Sequence, residues 1–166
     1  MKDNIVLIGM PGSGKSTVGV ILAKVLGYEF LDADLLIQKQ EKRRLKEIIA
    51  QEGQEGFLRI EGRVNASIQT TQCVIATGGS VVYCREAMEH LKEIGTIIYL
   101  KLDYNILKRR LGNLIGRGVV LKDGQSLEDL YEERVPLYES YADVIVDEKN
   151  TDAEGTSQKI LEVLKK

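Results

Sequence analysis

A glycine-rich run near the start of the chain holds the residue types best suited to chemistry. Residues 9–17 read G-M-P-G-S-G-K-S-T and fit the pattern G-x-x-x-x-G-K-[ST]. In this pattern backbone N–H groups surround a polyphosphate, the lysine places a charge against its β and γ phosphates, and the next hydroxyl is a ligand for Mg²⁺. We expect Lys15 to act in catalysis and Ser16 to hold the metal. The predicted nucleotide-binding residues are Gly12, Ser13, Gly14, Lys15, Ser16 and Thr17.

The surroundings of this run favour a phosphate-binding loop. The apolar stretch 5–8 precedes it, and residues 15–26 follow with the apolar spacing of a helix whose positive N-terminus would face the phosphates. A glycine-rich turn with a chance Lys-Ser pair is the structural alternative. The complete motif between a strand and a helix argues against that alternative.

A second cluster of polar residues follows the next predicted strand. The segment F-L-D-A-D ends in Asp32 and Asp34, two carboxylates that would lie near the phosphate loop. Asp32 is positioned to hold Mg²⁺, while Asp34 could accept a hydrogen bond or a proton from an attacking hydroxyl. Either residue could instead cap the helix that follows, and capping is compatible with these roles.

Two further segments could contact a ligand. Gly78 and Gly79 follow the third strand and would let the backbone approach a ligand closely, although a simple turn is an equal possibility. Residues 111–125 contain four glycines around Arg117, which is typical of a lid. Arg117 would then neutralise charge on a transferring phosphoryl group, and the alternative is a solvated arginine on a mobile loop.

These residues must be positioned by alternating strands and helices. We predict strands over 4–9, 29–32, 73–77, 95–102 and 143–147. We predict helices over 15–26, 33–52, 55–68, 85–93, 104–111, 126–141 and 153–165. This α/β order indicates a parallel sheet with helices on both faces, in which ligands gather beyond the carboxyl ends of the strands.

Composition limits the classes of protein that fit. A chain of 166 residues with 43% apolar content predicts a single domain, 1–166. The net charge of −2 and interspersed signs argue against nucleic acid as a partner, and the basic run 42–44 reads as a solvated helix face. The first strand begins almost at once and no apolar run is long enough to span a membrane, so we expect a cytoplasmic protein without a signal peptide. The cysteines form no metal-binding pattern with the single histidine.

A block near the end of the chain completes a resemblance to a known family. Residues 134–143 read R-V-P-L-Y-E-S-Y-A-D. Together with the phosphate loop, the D-x-D pair, the two glycines and the glycine-rich lid, in this order and spacing, the chain resembles the shikimate kinases over nearly its whole length. The run R-x-P-L-Y-x-x-x-A-D is uncommon outside that family.

The resemblance implies a fold and a set of roles. The fold would be that of P-loop nucleoside monophosphate kinases, three layers with a five-stranded parallel sheet in the order 2-3-1-4-5. The activity would be ATP-dependent phosphorylation of the 3-hydroxyl of shikimate by a monomer, with a substrate-binding helical region at about 33–68 and the lid at about 111–125. Lys15, Ser16 and Asp32 would serve ATP and Mg²⁺, and Arg110 and the loop after residue 147 would lie against the adenine. The acceptor would contact Asp34, Gly78, Gly79 and Arg134.

The chain departs from the family pattern at three places. The family reads F-R-x-x-E where residues 57–61 read F-L-R-I-E, so Leu58 replaces an arginine that holds the substrate carboxylate. Arg59 is rotated by about 100° from position 58 on a helix and could substitute only through a changed helix orientation or a one-residue shift. Ser80 stands where a third glycine is usual, and Gly118-Val119 follow Arg117 where proline and leucine are typical.

Other functions remain open at this point. A kinase for another small hydroxylated metabolite would use Leu58 as an apolar wall in place of a carboxylate anchor. A non-catalytic nucleotide-binding paralogue would also explain Leu58, but it would not need the retained residues of the phosphate loop, Asp34 and Arg117. A regulatory GTPase is disfavoured because the chain lacks an N-K-x-D segment.

Overall fold

The computed structural model describes residues 2–112 and 122–166. Its strands are β1 (Asn4–Ile8), β2 (Glu29–Asp32), β3 (Cys73–Ala76), β4 (Gly95–Lys101) and β5 (Val144–Asp147). All neighbouring strands pair in parallel, and their order is β2-β3-β1-β4-β5. The predicted five-stranded sheet and its order are therefore confirmed.

Helices cover both faces of this sheet. Within the described ranges they are α1 (Lys15–Leu26), α2 (Ala33–Glu41), α3 (Leu45–Ala66), α4 (Arg85–Ile94), α5 (Tyr104–Arg110), α6 (Leu127–Tyr141) and α7 (Ala153–Leu164). A short 3₁₀ helix, Val81–Tyr83, follows β3 and was not predicted. None of the helices in these ranges is both long enough and apolar enough to cross a lipid bilayer.

Side chains of the central strand β1 point alternately to the two faces of the sheet and contribute to two cores, one on each face. Val6 and Ile8 of β1 pack into the core that also contains residues of α4 and α6, while Ile5 and Leu7 pack with residues of α1 and α7. Successive strand side chains point to opposite faces, so one fully buried strand supplies both cores. The result is the predicted three-layer arrangement.

The tyrosine pair Tyr99 and Tyr138 joins the sheet to α6. The two rings are stacked with their centroids 5.1 Å apart and their planes inclined by 26°. The Tyr138 hydroxyl donates to the carbonyl oxygen of Gly79 at 2.6 Å and lies 3.7 Å from the sulfur of Met10. This contact ties α6 to the loops that follow β1 and β3.

The predicted helix over 33–52 is wrong in its middle. Helix α2 ends at Glu41, because Lys42 adopts a left-handed conformation with φ of 54°. Helix α3 begins after Arg44, whose backbone N–H donates to the Glu47 carboxylate at 2.8 Å. The basic run 42–44 is thus a turn and not a helix face, and Arg43 in it forms ion pairs with Glu41 and Glu52.

The break predicted between residues 52 and 55 occurs as a kink inside α3. Gly53 has φ of 72° and ψ of 179°, a backbone region that is essentially restricted to glycine. The second half of α3 therefore runs in its own direction and carries Phe57 and Glu61 toward the carboxyl end of the sheet. The segment between β2 and β3 is built from three helical pieces instead of the predicted two.

Candidate active site

The phosphate loop joins β1 to α1 and has the backbone that its glycines allow. Gly12 and Gly14 both have left-handed φ values, 81° and 89°. The Lys15 ammonium group donates to the carbonyl oxygens of Gly9 at 2.9 Å and Met10 at 2.8 Å. Burial lowers the pKa of Lys15 to about 8, while Asp34 acts in the opposite direction. Lys15 therefore remains charged at neutral pH and lies inside the loop, in the position from which it would face bound phosphate.

Asp32 serves as a helix cap and also faces the phosphate loop. Its Oδ1 accepts hydrogen bonds from the backbone N–H groups of Asp34 at 2.9 Å and Leu35 at 3.2 Å, which caps α2. Its Oδ2 accepts a hydrogen bond from the Ser16 hydroxyl at 3.0 Å. The predicted capping role is therefore confirmed for one oxygen of Asp32, while the other oxygen lies beside Ser16, and its predicted role toward Mg²⁺ stays a prediction.

Asp34 lies in the first turn of α2 and converges with Glu61 beside Gly78. A Cβ atom on Gly78 would lie 2.5 Å from Glu61 Oε2 and 2.8 Å from Asp34 Oδ1. Burial raises the pKa of Asp34, and the nearby charge of Asp32 raises it further. Only glycine leaves room for two carboxyl groups at this point, so the close approach predicted for Gly78 involves protein side chains.

Arg134 supplies a buried positive charge to the same cavity. Its side chain is 1% exposed, and the guanidinium carbon lies 5.4 Å from the ring centroid of Tyr83. Its Nη1 would be 2.9 Å from a Cβ atom on Gly79, and Pro11 Cδ would be 2.7 Å from the same atom. Gly79 is therefore required for the close packing of the phosphate loop against the Arg134 side chain.

These groups surround one cavity of about 300 Å³ at the carboxyl ends of β1, β2 and β3. Its lining includes the phosphate loop on one side and acidic, basic and apolar side chains on the other. The lining residues are Pro11, Gly12, Gly14, Lys15, Ser16, Thr17, Asp32, Asp34, Leu45, Phe57, Glu61, Thr77, Gly79, Ser80 and Arg134. The structure thus brings together most of the residues that the sequence predicted.

Four predicted residues besides Arg110 are not among the lining residues of this cavity. Gly78 lies against Glu61 and Asp34 without lining it. Ser13 is fully buried behind the loop and does not line the cavity among the described residues. Arg59 is exposed, and one of its guanidinium nitrogens lies 3.7 Å from the position of a Cβ atom on Gly56, so its side chain runs back along α3 away from the cavity. Arg117 and the central part of the predicted lid lie outside the described residues.

Arg110 lines a second cavity that adjoins the phosphate loop. One guanidinium nitrogen donates to the carbonyl oxygen of Gly12 at 3.3 Å. The cavity measures about 460 Å³ and is lined by Leu102, Ile106, Arg109, Arg110, Glu148, Asn150 and Thr151. Burial raises the pKa of Glu148 to about 7, against the effects of Arg110 and Lys15. Arg110 and residues of the loop after residue 147 therefore line the same cavity, and their predicted place against the adenine stays a prediction.

Sequence reasoning missed several residues of the first cavity as site residues. Glu61 follows Phe57 by four positions and so shares its face of α3, which is the signal that could have placed it. Ser80 donates its hydroxyl to Glu61 Oε1 at 2.5 Å, a contact that no local pattern could reveal. Leu45 reaches the cavity because α3 begins there and not, as predicted, after residue 52.

The arrangement fits phosphoryl transfer to a small acceptor. Glycine-rich backbone and Lys15 provide a site for a polyphosphate, and the oxygens of Ser16 and Asp32 adjoin it. Asp34 and Arg134 stand across the same cavity, where an acceptor hydroxyl and a negatively charged acceptor group could be held. A positioned base and preorganised positive groups in one cavity both contribute to such a transfer.

Comparison with known proteins identifies relatives of the whole chain. The family model for shikimate kinase matches residues 11–165. The shikimate kinase of Moorella thermoacetica is 36% identical over 167 residues, a match that covers 99% of this chain and 96% of that protein. The shikimate kinase of Trichormus variabilis is 40% identical over 166 residues and covers 97% and 90% of the two chains.

Solved structures give the same result in three dimensions. The shikimate kinase of Acinetobacter baumannii in complex with shikimate superimposes with a TM-score of 0.88 at 32% identity, over 99% of this chain and 93% of that one. The shikimate kinase of Aquifex aeolicus has a TM-score of 0.79 at 28% identity, over 98% and 96% of the two chains. With the phosphate loop, the acidic pair and Arg134 gathered around one cavity, and with relatives matched from end to end, the chain belongs to the shikimate kinase family.

Proposed function

We propose that this protein transfers the γ-phosphoryl group of ATP to the 3-hydroxyl of shikimate. The observation that carries the proposal is the single cavity in which Lys15, Asp34 and Arg134 face one another. The relative from Acinetobacter baumannii, whose structure contains shikimate, supports the choice of acceptor. We also propose that the chain acts as a single-domain monomer in the cytoplasm, on small molecules and not on nucleic acid.

The residues singled out in the sequence have the following proposed tasks. The phosphate loop binds the triphosphate, and Lys15 places its charge against the β and γ phosphates. Asp34 accepts the hydrogen bond of the acceptor hydroxyl and takes its proton as the phosphoryl group arrives. Arg134 binds the acceptor carboxylate, and Gly79 keeps the loop close to it. Arg110 lies against the adenine, and Arg117 in the lid neutralises charge on the transferring group.

The oxygens beside the phosphate loop fit Mg²⁺. This ion prefers oxygen ligands and usually takes only one or two from the protein, the others coming from water and phosphate. Ser16 and Asp32 provide a hydroxyl and a carboxylate oxygen that already lie 3.0 Å apart. When bound, Mg²⁺ neutralises negative charge on the phosphates. Asp32 keeps its other oxygen on the backbone of α2, which fixes the orientation of the carboxylate.

One observation favours a second candidate, a kinase for another hydroxylated metabolite. Leu58 stands where the resemblance places a carboxylate-binding arginine, and among the described residues it does not line the cavity. An acceptor without a carboxylate would not need that arginine. A non-catalytic paralogue is less well supported, because such a protein has no use for the complete set of Lys15, Asp32 and Asp34.

An assay of ADP release with Mg²⁺ and ATP separates these functions. The acceptor panel contains shikimate, quinate, gluconate, homoserine, threonine and nucleoside monophosphates, and Lys15→Ala protein is the control for contaminating activity. We expect shikimate to give the highest kcat/KM. Turnover of a different acceptor without turnover of shikimate would replace the favoured function by the second candidate, and no turnover with any acceptor would contradict both.

A substitution at position 58 tests how the acceptor is anchored. Leu58→Arg should lower KM for shikimate about ten- to a hundredfold, because a charge-assisted hydrogen bond contributes about 1.5 to 3 kcal/mol. Glu61, three positions further along α3, could brace the new guanidinium group. Shikimate titrations at saturating ATP give the value for both proteins, with Arg59→Leu on the exposed side of α3 as the matched control.

A loss of activity in Leu58→Arg, instead of a lower KM for shikimate, would have a different cause. If the cavity accepts an uncharged metabolite, Leu58→Arg introduces a half-buried charge without a partner and lowers both activity and melting temperature. Thermal unfolding of the same protein preparations distinguishes a lost fold from a changed affinity. A Leu58→Arg protein with a lower melting temperature and an unchanged KM for shikimate would contradict the proposal that residue 58 can anchor the acceptor carboxylate.

A further inference from the structure

The acceptor side of the cavity contains a buried carboxyl group that has no task in the proposed transfer. Glu61 on α3 is 1% exposed and lines the cavity. Its Oε1 lies 2.5 Å from the Ser80 hydroxyl oxygen. Its Oε2 faces Gly78, where an added Cβ atom would lie 2.5 Å away. One oxygen of this carboxyl group is therefore held by a hydroxyl, while the other lies at Gly78, the point that Asp34 also approaches.

The groups that face Glu61 come from several elements and carry both signs of charge. They are Lys15 on α1, Asp34 on α2, Arg134 and Tyr138 on α6, and Ser80 before the 3₁₀ helix. Asp34 Oδ1 approaches the same point beside Gly78 as Glu61 Oε2 does. Two carboxyl groups that converge in a buried place favour the binding of a proton by one of them.

The electrostatic surroundings agree with this geometry. Burial raises the pKa of Glu61 to about 7, and the charge of Asp34 adds to the effect. The Ser80 hydroxyl, Arg134 and Lys15 act in the opposite direction and keep the titration near neutral pH. Glu61 can thus change its charge within the range in which the enzyme is assayed.

We propose that Glu61, held by Ser80, is a specificity-determining residue. In its neutral carboxylic acid form, Glu61 binds an acceptor that carries a carboxylate. The inference rests on the proposed phosphorylation of shikimate. An acceptor carboxylate in this cavity is attracted by Arg134, but Leu58 supplies no second cation. A neutral Glu61 removes a repulsion and offers an O–H donor, whereas an ionised Glu61 repels the same acceptor.

Ser80 acts in this scheme as a positioning residue. Its hydroxyl donates to Glu61 and favours the ionised form, so removal of the hydroxyl should raise the pKa of Glu61. In Ser80→Ala the change of acceptor affinity with pH should therefore move to higher pH. A purely structural role of Ser80 would not shift this midpoint.

The dependence of KM for shikimate on pH tests the proposal at saturating ATP. Glu61 binds the acceptor in its protonated form, so KM should be constant below about pH 6 and rise by nearly tenfold per unit above about pH 7. Glu61→Gln has the same shape, stays neutral and keeps a donor. Its KM should stay low and depend much less on pH, while the titration of Lys15, common to both proteins, cancels in the comparison.

Two further measurements make the test independent of one variant. Methyl shikimate lacks the negative charge, so its KM should show no step that depends on Glu61. Calorimetry of shikimate binding to the wild-type protein at about pH 8, in buffers of different ionisation enthalpy, should show uptake of nearly one proton. This last measurement decides the question even if Glu61→Gln is poorly folded.

Results that would contradict the role of Glu61 differ from results that would contradict the proposed activity. Superimposable KM profiles for wild type and Glu61→Gln, a KM that falls as the pH rises, or binding without proton uptake would each overturn the role of Glu61. None of these results touches the proposed activity itself. That activity fails only if shikimate supports no release of ADP at any pH.

Discussion

Replacement of Lys15 by alanine should lower kcat/KM for phosphoryl transfer several hundredfold or more and leave the fold intact. The Lys15 ammonium group lies inside the phosphate loop, held by the carbonyl oxygens of Gly9 and Met10. It is the charge that the loop would present to the β and γ phosphates, and loss of one preorganised contact of this kind costs about 3 to 4 kcal/mol of transition-state stabilisation.

Steady-state kinetics with ATP and shikimate give the size of the loss. Lys24→Ala is the matched control, because Lys24 lies on the same helix and is exposed. Circular dichroism should show the same secondary structure in all three proteins. A Lys15→Ala protein with nearly normal turnover would refute the assignment of this loop as the site of phosphoryl transfer.

The second large effect is expected from Asp34→Asn, which should lower kcat about a hundredfold or more with little change in ATP affinity. The amide keeps the size of the side chain and its place beside Gly78 but cannot take a proton from the acceptor. Asp34 faces the cavity on α2, while the backbone of that helix is capped by Asp32. The loss should therefore appear in the chemical step.

Asp32→Asn distinguishes the proposed metal-binding role of Asp32 from the acceptor-binding role of Asp34. Asparagine also caps helices well, so α2 should remain folded. Loss of the charge beside Ser16 should raise the Mg²⁺ concentration needed for half-maximal activity. Glu29→Gln, at the other end of β2, is the control for both variants. If Asp34→Asn and Asp32→Asn differ from wild type only by equal losses of ATP binding, the division of tasks between them is wrong.

The central strands β1, β3 and β4 could be predicted because they are largely buried on both sides and bounded by loops with clear composition. The turn between α2 and α3 could not, because Lys42 in a left-handed conformation carries no local signal and the run 38–44 contains neither glycine nor proline to mark a break. Tertiary contacts of Arg43 with Glu41 and Glu52 hold that turn, and they join residues on two helices. The second break, at Gly53, falls between the predicted helices over 33–52 and 55–68.

In the candidate site, too, some residues could be predicted from the sequence and others could not. Residues close together in sequence, such as the phosphate loop and the pair Asp32 and Asp34, were found because their spacing alone places them. Glu61 was named only as a brace for a changed residue 58, although it lies beside Asp34 in the cavity. Its partner Ser80 is 19 residues away along the chain, and only the packing of α3 against the loop after β3 brings them together.

The stacked tyrosines beneath the cavity also determine how the protein can be observed. The chain has seven tyrosines and no tryptophan, so its near-ultraviolet circular dichroism arises chiefly from tyrosine. Tyr99 and Tyr138 are buried and fixed against each other, and Tyr138 also touches Gly79 and Met10. Such asymmetric, immobile rings give the optical signal that disappears when tertiary packing is lost. The wild-type protein thus carries an intrinsic optical reporter beside its own site, and a single introduced tryptophan would fluoresce without competition.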